Sequence, residues 1–94
     1  MASSPQEVVK EFEILNELGL HARAAAQFVK VAAQYQSEII VEKDDREVNG
    51  KSIMGVLTLA AAKGSTIKIK ATGDDATDAI AGLEDLIHKK FGEN

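Results

Sequence analysis

Apolar and polar side chains alternate along Val8-Val9-Lys10-Glu11-Phe12-Glu13-Ile14, with Val8, Phe12 and Ile14 on one face and Glu11 and Glu13 on the other. Lys10 interrupts the pattern, but the period of two predicts a strand. From residue 22 to about residue 34 the spacing becomes helical: Ala22, Ala25, Ala26, Val29, Ala32 and Ala33 recur on one side, and Phe28 and Val31 widen the stripe. Such a small-residue face can lie close against a sheet. Two β-rich runs, Glu38-Ile39-Ile40-Val41-Glu42-Lys43 and Arg46-Glu47-Val48, flank Asp44-Asp45, which reads as a hairpin turn. Ser52 is an N-cap candidate for a short helix over residues 53–60, with Lys63-Gly64 as its stop signal. Thr66-Ile67-Lys68-Ile69-Lys70-Ala71 alternates cleanly and predicts another strand. Asp75-Ala76-Thr77-Asp78 opens a last helix that turns Ala76, Ala79, Ile80, Leu83, Leu86, Ile87 and Phe91 inward, with Lys89 and Lys90 at its negative end and Gly92 beyond.

The order strand, helix, strand, strand, helix, strand, helix predicts an α+β domain, an antiparallel sheet with its helices on one face. Several small folds meet that description, including ferredoxin-like ligand-binding domains. The chain has 94 residues, which suits one domain burying roughly 60 to 65% of its unfolded surface. The expected division is a flexible segment over residues 1–7 and a single domain over 8–92.

Composition narrows the function. The sequence has no cysteine, which removes disulfide and thiolate chemistry and fits a reducing compartment. No apolar run approaches the roughly 20 residues of a membrane span, and Met1-Ala2-Ser3-Ser4-Pro5-Gln6 lacks the basic and apolar regions of a signal peptide. The expected location is the cytoplasm, without membrane insertion. A net charge of −4, with basic residues scattered and aromatics few, argues against nucleic acid, which needs a basic stripe and stacking rings.

The stretch Gly19-Leu20-His21-Ala22-Arg23-Ala24-Ala25 carries the candidate chemistry. Glycine permits a tight backbone approach, and the run after it is rich in helix formers, so His21 stands at a helix start. Unpaired N–H groups there, with a guanidinium two residues on, suit a phosphate-sized anion, and the imidazole adds a nucleophile. The competing reading makes His21 a solvated or capping residue. His88 lies in a charged last turn, where an imidazole favours the helix C-terminus, and reads as structural or solvated. The pairs Asp44-Asp45 and Asp74-Asp75 read as a turn and a helix start; neither has a Mg²⁺-binding arrangement, and no metal or cofactor is expected.

Gly19-Leu20-His21-Ala22-Arg23, Asn49-Gly50-Lys51-Ser52-Ile53-Met54-Gly55-Val56 and the closing helix resemble the HPr family, the histidine-containing phosphocarriers of the bacterial phosphoenolpyruvate-dependent phosphotransferase system. The likeness runs from about residue 8 to about residue 91. One departure stands at the site, Ala24, where the family usually has proline. The resemblance implies an open-faced β-sandwich, a four-stranded antiparallel sheet with three helices packed on one face in the order β-α-β-β-α-β-α. It implies a carrier rather than an enzyme, with phosphate accepted on Nδ1 of His21 and steadied by Arg23 and the helix N–H groups. The residues alone do not distinguish the two ring nitrogens. The implied partners are the first enzyme and the sugar-specific second-enzyme A components, with HPr kinase/phosphorylase acting on Ser52 in hosts that have it; the carrier is expected to be a monomer. Leu20, Ala26, Ile53, Met54 and Leu57 are the implied docking residues. Two other classes stay open: a regulatory HPr-like interaction module outside sugar transport, and a small-molecule-binding α+β domain in which His21 is incidental.

Overall fold

The computed structural model describes residues 6–93. Four strands, β1 (Glu7–Glu13), β2 (Glu38–Lys43), β3 (Arg46–Asn49) and β4 (Thr66–Thr72), form one sheet in the order β1-β4-β2-β3, with every neighbouring pair antiparallel. Three α-helices are interleaved, α1 (Ala22–Ala32), α2 (Ile53–Thr58) and α3 (Ala76–His88), giving the order β-α-β-β-α-β-α, and a 3₁₀ turn follows at Lys90–Gly92.

Strand alternation divides the sheet into two faces. Phe12 pairs with Ile67, Val41 with Ile69 and Ile39 with Ala71. These residues are buried under the helices, where removal of apolar surface from water holds the layers together. The opposite face carries Val9, Glu42, Lys68 and Lys70 and remains open. Lys43 and Arg46 are directly paired across a two-residue connection, and Asp44 and Asp45 adopt φ of 52° and 65°. Both are left-handed, as a type I′ hairpin turn requires.

The helices depart from expectation in three places, the last being α3, which ends at His88, short of the Phe91 expected within it. Helix α1 buries Ala24, Ala25, Phe28 and Ala32, whereas Ala22, Ala26 and Ala33 are exposed. Alanine occurs on all sides of this helix, so the alanine pattern does not select a face; the large ring of Phe28 does. Helix α2 ends at Thr58, two residues before the expected residue 60, because Ala60 turns left-handed at φ 49°. The chain beyond it leaves helical geometry and its Ala61 carbonyl accepts the N–H of Leu20. Tertiary pairing thus overrides the helix propensity of Ala60-Ala61-Ala62. Strand β1 also starts at Glu7, one residue before the expected domain boundary, and residues 1–5 of the expected flexible segment lie outside the described residues.

Candidate functional site

The site is built where the loop after β1 meets α1. Gly19 has φ 66°, and a Cβ there would collide with the Ala61 carbonyl. The Leu20 N–H bonds that same carbonyl at 2.8 Å, so the loop is pinned to the segment after α2. Asn16 is fully buried; its Nδ2 donates to the Gly19 carbonyl at 2.8 Å and to Oε2 of Glu93 at 2.7 Å.

This loop delivers His21 as the N-cap of α1, with φ −74° and ψ 179°, and its carbonyl accepts the N–H of Ala25 at 2.8 Å. The imidazole itself makes no capping hydrogen bond. The ring is therefore not committed to the cap, and the N–H groups of Ala22, Arg23 and Ala24 have no partner within the helix. The first turn contains no acidic residue, so no side chain within α1 compensates the positive end of the helix dipole. Arg23 is exposed and makes no ion pair among the described residues. A cleft of about 400 Å³ opens here, lined by Leu18, His21, Arg23, Gln27, Phe91 and Glu93 among others.

Glu93 reaches the cleft because the chain reverses after α3. Lys90 and Phe91 take left-handed φ values of 56° and 55°, Phe91 is buried, and the Glu93 N–H bonds the Lys90 carbonyl. Oε2 of Glu93 lies 3.0 Å from Nε2 of His21, and Oε1 accepts the Leu18 N–H at 3.3 Å. The Asn16 hydrogen bond, aided by those of His21 and Leu18, holds the Glu93 carboxyl below the usual glutamate range, outweighing the opposing effect of partial burial. Glu93, one residue beyond the expected end of the domain, thus contributes a side chain to the cleft. Asn16 and Glu93 are the functional neighbours that sequence reasoning missed. Asn16 follows Ile14-Leu15 and stands three residues before Gly19, a turn signal; Glu93 is 72 positions from His21, and no local pattern joins them.

Ser52 caps α2, accepting the Gly55 N–H on Oγ at 3.0 Å. Ile53 and Met54 are exposed, Ala26 is exposed on α1, and Leu57 is half-buried against the core. Leu20 is only 4% exposed: its N–H is pinned to the Ala61 carbonyl and its side chain lies in the core. His88 is exposed in the last turn of α3, 3.9 Å from Glu84, well apart in sequence and setting from the cleft.

Comparison with known proteins agrees with this architecture. The family model described as PTS HPr component phosphorylation site matches residues 8–89. The phosphocarrier protein HPr of Neisseria meningitidis is 51% identical over 84 residues, covering 89% of this chain and 94% of that protein. Among solved structures, HPr-C-His from Thermoanaerobacter tengcongensis superposes with a TM-score of 0.86 at 50% identity, covering 95% of this chain and 98% of that one. A structure described as an HPr dimer from the same organism superposes at 0.75 with 52% identity, covering 87% and 94%. The fold is thus that of a small histidine-presenting open-faced sandwich, and its similar proteins are phosphocarriers. The chain belongs to the HPr family of the phosphotransferase system.

Proposed function

We propose that this chain accepts a phosphoryl group on Nδ1 of His21 from the phosphoenolpyruvate-charged first enzyme and passes it to a sugar-specific second-enzyme A component or a regulatory acceptor. The observation that carries this reading is the position of His21: it caps α1 with its backbone while its ring stays uncommitted to the cap. A carrier needs a bond that forms and breaks readily. A P–N bond to imidazole meets that need, and imidazole is a competent nucleophile near neutral pH. Phosphoryl transfer asks mainly for positioning and charge stabilisation, which Arg23 and the N–H groups of the first turn of α1 supply on this side and the partner supplies on the other. The protein works as a monomer that docks partners through Ala26, Ile53, Met54 and Leu57, and phosphorylation of Ser52 regulates that docking.

Incubation with phosphoenolpyruvate and the first enzyme, followed by intact mass before and after mild acid, tests the proposal. The parent and His88→Ala should gain one acid-labile phosphate, and His21→Ala none. Full labile phosphate on the His21 variant removes the central claim, and its absence from the parent favours an α+β binding module in which His21 is incidental.

A further inference from the structure

We propose that Glu93 is a positioning residue for His21: it holds the neutral ring in the tautomer with hydrogen on Nε2 and so leaves the lone pair on Nδ1 for the phosphoryl group. The inference rests on the carrier reading above and deepens it. Oε2 of Glu93 sits 3.0 Å from Nε2 of His21. An ionised carboxylate only accepts hydrogen bonds, so the nitrogen facing it must be the N–H.

Three features keep that carboxylate charged and aimed. Asn16 donates to the same oxygen at 2.7 Å, and its second amide hydrogen goes to the Gly19 carbonyl. Asn16 is fully buried, so it is a fixed donor rather than a mobile one. The Leu18 N–H holds the other oxygen, and the left-handed turn at Lys90 and Phe91 with the buried Phe91 ring anchors the backbone behind it. The loop that delivers His21 and the turn that delivers Glu93 are thus tied to each other through Asn16.

The arrangement suits the chemical step. When the Nδ1 lone pair forms the P–N bond, the bond from phosphorus to the donor atom breaks and its electron pair stays with the donor. The proton on Nε2 does not leave, and the ring takes on positive charge. Glu93, beside Nε2 and away from the incoming anion at Nδ1, stabilises that charge through a charge-assisted hydrogen bond. When phosphate is passed on, the charge disappears and the same hydrogen bond restores the starting tautomer.

Nitrogen-15 NMR of the His21 ring in alkaline buffer, where it is neutral, reads the tautomer directly, and rapid-quench transfer from the charged first enzyme reads the consequence. The parent should show the Nε2–H form alone. Glu93→Ala should show both tautomers and transfer about tenfold more slowly, the equivalent of one charge-assisted hydrogen bond, while still acquiring acid-labile phosphate. Glu93→Gln, which keeps an acceptor oxygen without the charge, should fall between them. Identical ring signals in parent and Glu93→Ala overturn the proposal, as does slowed transfer with an unchanged tautomer. If the parent takes no phosphate, the carrier reading fails and the ring signals alone decide the role of Glu93.

Discussion

At the scale of single residues, Ser52 shows how one side chain can serve folding and regulation with opposite requirements. Its Oγ accepts the Gly55 N–H and satisfies one of the donors that open α2. Ser52→Ala removes this cap and should lower stability by about 1 kcal/mol in urea unfolding. Ser52→Asp restores an acceptor and adds charge that favours the helix dipole, so it should fold at least as stably as the parent. The same charge stands beside the exposed Ile53 and Met54, which a docking partner must desolvate. Transfer from the charged first enzyme, measured against carrier concentration below saturation, should then be roughly five- to 150-fold slower, the usual range of coupling between sites. Normal transfer by Ser52→Asp would leave Ser52 with a capping role alone.

At the scale of elements, the start of α3 is tied to the start of β2 by Asp75. Its carboxylate does not cap α3; it accepts the N–H groups of Gln36 at 2.8 Å and Ser37 at 2.9 Å and the hydroxyl of the buried Ser37. The Ser37 hydroxyl first, then the Gln36 N–H, hold the carboxyl below the ordinary aspartate range. A depressed folded value means that the unfolded chain binds the proton first, so the stabilisation is complete above the ordinary value and disappears as pH falls through the folded one. Asp75→Asn should melt below the parent at neutral pH, and the two melting curves should converge in acid; a constant gap down to the acid limit would show that the charge contributes nothing. This latch is also a measure of what the sequence discloses. The strands were legible because alternation reports burial directly, and Asp44-Asp45 between two such runs leaves little besides a hairpin. The helix over residues 22–32 was legible as a helix, yet its buried face was not, because alanine fits both a core and a surface. His21, Arg23 and Ser52 announce themselves through short local motifs. Asp75 with Ser37, and Glu93 with Asn16 and His21, depend on chain reversals that only the assembled fold brings about.

At the scale of the whole molecule, one core carries the stability and the site sits at its margin. Phe28 is fully buried on α1, seven residues and two helical turns from His21. A domain of this size has a total stability of about 5–14 kcal/mol, whereas truncating a buried phenylalanine costs about 3–5 kcal/mol. Phe28→Ala should therefore lower the urea midpoint sharply, and it leaves a folded majority at 25 °C wherever the parent's stability exceeds that loss by more than about 1 kcal/mol. His21 is not held in place by Phe28. It is held by the loop pinned at Leu20 to Ala61, by Asn16, and by Glu93 from the far end of the fold. Each of those anchors is a hydrogen bond that Phe28 does not make, although the side chains of Leu20 and Ala61 share its core. The transfer rate per folded molecule, obtained by scaling the observed rate with the folded fraction from circular dichroism, should stay within about twofold of the parent, a change of about 0.4 kcal/mol and within the tolerance for independent sites. A loss well beyond the unfolded fraction would mean that the cavity lets α1 shift and carries its first turn away from the loop. In that case core and site would be one cooperative unit, and His21 would owe its placement to packing under the sheet as much as to the hydrogen bonds around it.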